Sequence, residues 1–203
     1  MTTVRSSEVA ADPTNALAIE AAVRRASNGN GADQDPARDS VRLAAIQRVV
    51  RAQWFPDGWS AHFSLFAMLT AGRDAGSRWF EDAALAEHLR FAVAGLRAAG
   101  QPRVQLSLTP LSQAGERIAI AVAARLATTQ ASIVTDRDRA TGRGYYRDVC
   151  FKVNALIDGR PEEVGDGGFT DWTPGLLANQ KERLLISGYG LDRLAGLLEA
   201  KKA

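Results

Sequence analysis

The sequence predicts an α+β domain in which an antiparallel sheet carries helices on one side. Helix-like and strand-like segments alternate through the middle of the chain, and the last third contains three strand-like runs separated by turns. A chain of 203 residues with 46% hydrophobic content can also bury one substantial core. We expect one domain over residues 41–203, preceded by a flexible tail over residues 1–40.

The tail is predicted from its composition. Residues 27–40 read SNGNGADQDPARDS and contain too little apolar surface to order themselves, which is typical of a linker. Residues 15–26, NALAIEAAVRRA, are expected to form a short helix before that linker.

The first element of the domain is predicted to be a helix. Val41, Ala45 and Val49 fall on one face of a helix over residues 41–54, and Ser40 is a suitable N-cap. A proline and a glycine follow shortly afterwards and are expected to end the helix.

The middle of the chain is predicted to alternate between strands and helices. Residues 62–70 form an apolar run of strand length, and residues 103–111 alternate apolar with polar side chains, as a half-buried strand does. Residues 81–99 carry a helical apolar stripe that ends at Gly100, and residues 112–127 are again helical.

The last third is predicted to form antiparallel strands and a final helix. Residues 144–157 and a run through Val164 are expected to pair around a turn at residues 158–163. Residues 182–188 give a further short apolar strand, and residues 190–203 give an amphipathic helix.

The composition argues against several classes of protein. Cys150 is the single cysteine, which excludes a disulfide framework and a cysteine-rich zinc site. The net charge of +2, with arginines scattered among acids, argues against strong nucleic-acid binding. His62 and His88 lack metal-ligand spacing and are interpreted as structural, so no metal site is expected. We recognise no membrane span or secretory signal and expect a cytoplasmic protein.

One segment near the end of the sequence indicates an anion site. Residues 187–194, SGYGLDRL, run from a strand into a helix across Gly188 and Gly190, with Arg193 in the first helical turn. Backbone N–H groups and the positive end of the helix dipole would converge there. The alternative is that the glycines only permit close packing and that the arginine is a surface charge.

The order of these segments resembles the C-terminal part of the catalytic core of a class II aminoacyl-tRNA synthetase. The resemblance spans residues 61–203 and is to the histidyl type and its paralogue, the regulatory subunit of ATP phosphoribosyltransferase. Residues 190–194, GLDRL, are similar to the third motif of the class, whose arginine contacts ATP. The resemblance therefore implies a class II synthetase-like fold and a nucleotide site formed by Arg193 with Gly188 and Gly190.

Two further segments resemble the amino-acid pocket of the histidyl type. Residues 141–153, TGRGYYRDVCFKV, are similar to a segment with paired tyrosines, and DGGFTDW echoes a glycine-rich element beside that pocket. The ligand-binding residues that this resemblance implies are Tyr145, Tyr146, Asp166, Gly167, Gly168 and Asp171. Neighbouring strand residues face opposite sides, so we expect only one of the two tyrosines to line the pocket. For the two aspartates, turn formation is the alternative interpretation.

The sequence also departs from this family. Thr141 stands where the histidyl family has its catalytic arginine, although Arg139 or Arg143 lies close enough to replace it. No F-R-x-E segment is present, and Arg73 is only a weak stand-in for its arginine. We find no first class motif and no anticodon-binding domain after the core, so we do not expect a self-sufficient tRNA synthetase. A nucleotide would depend on Arg193 with Arg73 or Arg143.

Three functions remain open at this point. The first is a regulatory or accessory protein that binds an amino acid or a related small ligand. The second is a ligase that activates a carboxylate, with ATP and Mg²⁺ as its cofactors. The third is an interaction module with a vestigial pocket. We expect no membrane partner, and a homodimer and a hetero-oligomer are both left open.

Overall fold

The computed structural model describes residues 12–27, 39–51, 54 and 60–200, the last without its side chain. The strands are β1 (Val41–Val50), β2 (His62–Arg73), β3 (Val104–Pro110), β4 (Ser132–Thr135), β5 (Arg147–Ile157), β6 (Arg160–Thr170) and β7 (Glu182–Gly190). The helices are α1 (Pro13–Ser27), α2 (Trp79–Ala98), α3 (Gln113–Leu126), α4 (Trp172–Leu176) and α5 (Leu191–Ala200), with a single 3₁₀ turn at Ala127–Thr129.

The seven strands form one sheet in the order β1-β2-β7-β6-β5-β3-β4. Neighbouring strands are antiparallel except β3 and β4, which are parallel. The predicted α+β class is confirmed, whereas the expectation of a wholly antiparallel sheet is wrong at β4. That strand was not predicted because its four residues are too few to show a periodicity.

The helix predicted over residues 41–54 is wrong, because this segment forms β1. All ten residues of β1 pair with β2, from Val41 opposite Ala71 to Val50 opposite His62. The segment is rich in β-branched residues, which favour extended backbone, and pairing with β2 outweighs the chance helical spacing of its apolar residues. The proline and glycine that were expected to end the helix lie outside the described residues.

Helix α1 packs against the domain and does not lie in a loose tail. Ala18 and Ala21 are buried against Leu69 of β2 and Ile186 of β7. The short helix expected within the tail is therefore present, but it adds a layer to the folded domain. The predicted linker falls mostly on residues 28–38, which lie outside the described residues.

The helices cover both faces of the sheet, not one face as predicted. Helices α2 and α3 bury Leu85, Leu89 and Ile118 against one face, where they meet Phe151 of β5 and Leu185 of β7. Alternate residues of β7 face the opposite side, where α1 packs. This second face is left uncovered toward β6 and α5, and the cavity described below lies there.

The remaining predicted elements are confirmed in position. Helices α2, α3 and α5 and strands β2, β3, β5, β6 and β7 overlap the segments assigned from periodicity. Ser112 caps α3 by accepting a hydrogen bond from the Gly115 N–H group at 3.0 Å. In the described part of the chain, none of the helices has the length and apolar character needed to cross a membrane.

A buried histidine joins α2 to the sheet. The His88 Nε2 atom lies 3.0 Å from the Thr70 hydroxyl, and its Nδ1 atom lies 2.9 Å from the Ser187 hydroxyl. Burial, assisted by the charge of Arg42, lowers the pKa of His88 to about 3. The interpretation of His88 as a structural residue agrees with this placement.

Candidate functional site

An open cavity of about 1100 Å³ lies on the face of the sheet that carries α1. Its walls come from the beginning of α1, the β1–β2 connection, the loop before β5, strands β6 and β7, and the first turn of α5. The volume is slightly above the range of about 300–1,000 Å³ that small-molecule pockets span. The cavity is thus large enough for an amino acid or a larger ligand.

The floor of the cavity is open because of one glycine. Ala67, Gly188 and Asp166 are direct neighbours on β2, β7 and β6, so their side chains share one face of the sheet. A Cβ atom placed on Gly188 would approach nothing more closely than the Leu65 side chain, at 3.6 Å. Gly188 therefore leaves free space directly beside the Asp166 carboxylate.

Arg139 holds Asp166 in place at one end of the cavity. Its Nη2 atom donates to Asp166 Oδ2 at 2.9 Å, while Nε and Nη1 each donate at 2.8 Å to the backbone carbonyls of Thr141 and Phe151. The guanidinium also lies 5.7 Å from the ring centre of Tyr146. These contacts fix the arginine, and through it they orient the aspartate toward the cavity.

Both tyrosines of the pair line the cavity, so the expectation that only one would do so is wrong. They lie in the turn before β5, where Gly142 has a positive φ of 78°, and the rule for alternate strand residues does not apply to them. The Tyr146 hydroxyl donates to Asp166 Oδ2 at 3.3 Å, and the Tyr145 ring packs edge-on against Tyr146 and Trp172. Together they form an aromatic wall.

The electrostatics of this end are set by burial and by one cation. Burial raises the pKa of Asp166, and the guanidinium of Arg139 opposes that rise. Burial also raises the pKa of Tyr145 to about 12, and it raises the pKa of Tyr146 further. The tyrosines therefore stay neutral hydrogen-bonding groups near neutral pH, beside a carboxylate that can accept hydrogen bonds.

The other end of the cavity holds a second arginine that is paired with an acid. Arg193 Nη2 donates to Glu162 Oε2 at 3.0 Å. The neighbouring Asp192 accepts a hydrogen bond from the Ser64 N–H group and so joins α5 to β2. A Cβ atom on Gly190 would meet only the Cβ atom of Arg193, at 3.7 Å, so this glycine also leaves room at the cavity wall.

A third arginine, which the sequence analysis did not single out, lines the mouth of the cavity. Arg51 lies just after β1, with its Nη2 atom 3.5 Å from Asp12 Oδ2 and its guanidinium 5.3 Å from the ring centre of Phe63. The hairpin of β1 and β2 brings this arginine to the site. A sequence interpretation that makes β1 a helix cannot place it there.

Five carboxylates and three guanidiniums line the cavity within the described residues. The carboxylates belong to Asp12, Glu162, Glu163, Asp166 and Asp192, and the guanidiniums belong to Arg51, Arg139 and Arg193. Each guanidinium is paired with one of these carboxylates. Positive charge in the site is therefore already compensated by the protein itself.

Two predicted ligand residues, Gly167 and Gly168, lie beneath the site and serve packing. A Cβ atom on Gly167 would lie 2.3 Å from the Ile186 carbonyl oxygen, and one on Gly168 would lie 2.6 Å from the Tyr146 ring. Neither glycine lines the cavity. Both allow close contact between strands and side chains.

Three further candidates lie outside the cavity wall. Asp171 pairs with Arg147 at the surface at 2.9 Å, and Arg73 pairs with the buried Glu182 at 3.3 Å. Arg143 donates to main-chain carbonyls of its own loop, at 2.8 Å and 3.3 Å. The structure therefore brings together Tyr145, Tyr146, Asp166, Gly188, Gly190 and Arg193 of the predicted set.

Sequence comparisons give no relative, and structural comparisons give clear ones. A scan against protein-family models finds no match, and no curated protein matches significantly. The apo histidyl-tRNA synthetase of S. aureus has a TM-score of 0.70 at 18% identity, over 95% of this chain and 52% of that chain. A protein from Bacillus halodurans C, described as an ATP phosphoribosyltransferase regulatory subunit/histidyl-tRNA synthetase, has a TM-score of 0.65 at 16% identity, over 93% and 64%.

A third structure agrees with these two. The histidine–tRNA ligase subunit of Alicyclobacillus acidocaldarius has a TM-score of 0.65 at 13% identity, covering 95% of this chain and 77% of that one. The chain has the fold of a histidyl-type class II synthetase core. At these identities the likeness establishes the synthetase-like fold alone. The chain also spans only 52% and 64% of the first two proteins, so their activities are not carried over with the fold.

Proposed function

We propose that this synthetase-like protein binds an amino acid or a related small polar ligand, and that it acts as a regulatory or accessory protein. The observation that carries the proposal is the open floor at Gly188 beside the oriented carboxylate of Asp166. The ligand lies over Gly188, between the Leu65 side chain and Asp166. Asp166 is also one of the ligand-binding residues that the sequence resemblance implied, whereas Gly188 was assigned to the nucleotide site.

The chemistry of the wall suits a ligand with an ammonium group. Asp166 has already accepted hydrogen bonds from Arg139 and Tyr146 on its Oδ2 atom, and no such contact involves Oδ1 in the described part of the chain. A carboxylate oxygen beside an open floor can accept charge-assisted hydrogen bonds from an ammonium group. Tyr145 and Tyr146 supply an aromatic surface for the apolar or planar part of the ligand.

The regulatory role is proposed from the structural neighbours and from the charges in the site. One neighbour is described as a regulatory subunit, and by analogy this chain acts with a different partner chain. Arg73 and Arg143, which a nucleotide site was expected to use, lie outside the cavity wall. A cytoplasmic location is part of the same proposal.

The ligase remains a second candidate because Arg51 and Arg193 both line the cavity. Phosphate transfer and adenylation need cations at the phosphates. The site fits ATP and Mg²⁺ poorly, because both arginines already bind carboxylates. The described residues also contain no group of three or more His, Cys, Asp or Glu side chains placed to hold a metal ion.

A thermal-shift screen tests the proposal. The purified protein is melted with each amino acid, with and without ATP and Mg²⁺, since a ligand that binds the native state raises its melting temperature. Gly188→Leu is the pocket variant, because its side chain fills the floor without a backbone clash. Gly95→Leu is the matched control, because Gly95 is exposed on α2 and has nothing within 4 Å of an added Cβ atom.

The outcomes separate the three functions. A shift with one amino acid in the wild type and in Gly95→Leu, but not in Gly188→Leu, supports the proposal. A shift that needs ATP together with the amino acid supports the ligase. No shift with any amino acid contradicts both and favours the interaction module.

A further inference from the structure

The ion pair between Arg193 and Glu162 gives its end of the cavity a different chemistry from the end that holds Asp166. Arg193 lies in the first turn of α5, and Glu162 lies on β6, so the ion pair of 3.0 Å joins two elements across the cavity wall. The two side chains are 30% and 41% exposed. A ligand in the cavity can therefore reach both groups.

Arg193 lies where an anionic group of a ligand would bind. Its position at the beginning of α5 adds the positive end of the helix dipole to its own charge. Gly188 and Gly190 leave the approach to it open, because no side chain extends from either residue. In the structure, the carboxylate of Glu162 is the anion that binds Arg193 at this position.

We propose that Glu162 determines the specificity of the pocket by holding Arg193, so that the site rejects polyphosphates and accepts a phosphate-free zwitterion of amino-acid size. This inference rests on the proposed function for the identity of the cavity as a ligand site. It adds the class of ligand that the site excludes and the residue responsible.

The surrounding charges explain why a polyphosphate is rejected. A phosphate chain that displaced Glu162 from Arg193 would leave that carboxylate beside its own negative charges, and like charges at this range repel. Glu163 lies next in sequence and also lines the cavity. Its carboxylate pairs with Lys152 at 2.7 Å, so that amine is not available to a phosphate either.

A zwitterion meets a different balance of charges. Its ammonium group can bind Asp166 at the far end of the cavity while the pair of Arg193 and Glu162 stays intact. No ion pair of the protein has to be broken for this ligand to enter. The cavity therefore distinguishes the two ligand classes by the cost of separating one ion pair.

The experiment measures the binding of inorganic tripolyphosphate, and of ATP with and without Mg²⁺, by titration calorimetry. Four proteins are compared: wild type, Glu162→Gln, Glu163→Gln and the double variant Glu162→Gln/Arg193→Gln. Glu163→Gln is the control, because it removes the same charge from the same wall but releases Lys152, which does not line the cavity, and leaves the pair of Arg193 and Glu162 in place. Both glutamates are partly exposed, and melting curves verify that each variant is folded.

We expect tripolyphosphate to bind Glu162→Gln about fivefold more tightly than wild type, which is the upper end of the usual effect of one partly exposed ion pair. The gain should be about twofold or less in Glu163→Gln and should disappear in the double variant. Wild type that binds tripolyphosphate as tightly as Glu162→Gln would overturn the proposal. So would an equal gain in Glu163→Gln, or a gain that persists in the double variant.

These readouts are independent of the amino-acid screen. If no amino acid binds while Glu162→Gln still gains tripolyphosphate affinity through Arg193, the proposed function fails and the role of Glu162 stands. If an amino acid binds while the polyphosphate series shows no difference, the proposed function stands and the role of Glu162 fails.

Discussion

Arg25 of α1 and Glu182 of β7 form a bidentate ion pair that is almost wholly shielded from solvent. Nε and Nη2 of the arginine donate to the two carboxylate oxygens at 2.9 Å and 3.0 Å. Both side chains are 3% exposed. The arginine also pairs with Asp39 at 2.8 Å, so this contact fixes the end of α1 and the residue before Ser40 against the sheet.

The first prediction concerns this pair. Arg25→Ala should lower the free energy of unfolding by about 3–5 kcal/mol, because it leaves the Glu182 carboxylate buried and with fewer cationic partners. Arg24→Ala is the control, since its pair with Glu20 is exposed and should contribute less than about 0.5 kcal/mol. Urea unfolding curves measure both values. Equal losses in the two variants would contradict the role of the buried pair.

The second prediction concerns His88 and acid. The folded-state pKa of about 3 lies below the unfolded value of 6.5, so His88 binds a proton more readily after unfolding. The contribution of neutral, buried His88 to the free energy of unfolding is therefore fully present above pH 6.5, and it is lost as the pH drops from 6.5 toward 3. Between pH 7 and pH 5, wild type should lose about 2 kcal/mol more than His88→Gln, which cannot titrate there.

Urea unfolding at several pH values measures this difference. The comparison with His88→Gln removes the contribution of the acidic side chains, which titrate in both proteins. Parallel stability curves for the two proteins over this range would show that His88 can become protonated without leaving its site between Thr70 and Ser187.

The third prediction compares two glycines on neighbouring strands, Gly188 of β7 and Gly167 of β6. Gly188→Ala should change the free energy of unfolding by less than about 0.5 kcal/mol, because its Cβ atom meets only ordinary contacts. Gly167→Ala should cost about 2 kcal/mol or more, because its Cβ atom would lie 2.3 Å from a backbone oxygen. Thermal unfolding of both variants tests the contrast, and similar melting temperatures would contradict it.

The fourth prediction compares two aspartates that the sequence analysis treated alike. Asp166→Asn should cost about 1–2 kcal/mol, because it weakens the charge-assisted hydrogen bond from the buried Arg139. Asp171→Asn should cost less than about 0.5 kcal/mol, because its pair with Arg147 is exposed. Chemical denaturation measures both changes. A larger loss in Asp171→Asn would reverse the assignment of the two carboxylates.

The fifth prediction concerns the single cysteine. Cys150 is fully buried, and burial raises the pKa of its thiol. The native protein should react with an aromatic disulfide reagent at least about a hundredfold more slowly than the urea-unfolded protein, since the thiolate is the reactive form. Absorbance of the released thiolate follows the reaction. Rapid reaction of the native protein would show that this part of β5 opens.

The elements with long periodic patterns were predictable from the sequence, and the short or tertiary-dependent ones were not. Residues 81–99 carry enough helical turns for their apolar stripe to be unambiguous, and α2 forms there. In β1, Val41, Ala45 and Val49 have a helical spacing by chance. The segment forms a strand because it pairs with β2, and that pairing is not visible in the local sequence. Short elements such as β4 carry no pattern of their own.

The candidate site was predictable where it depended on local sequence. Tyr145, Tyr146, Asp166 and Gly188 lie in segments whose order carries the resemblance, and all of them line the cavity. Arg51 reaches the cavity through a strand pairing that residue spacing does not reveal. Glu162 and Glu163 were interpreted as part of a turn, whereas the hairpin extends far enough for both to lie on β6.

Strand β7 occupies the middle of the sheet although it comes late in the chain. It pairs with β2 on one side and with β6 on the other, so it alone connects the β1–β2 hairpin to the remaining strands within the described residues. During synthesis, the ribosome must make every earlier strand before this connection can form. The hairpin must therefore wait, with one edge of β2 unpaired, until residues 182–190 have emerged.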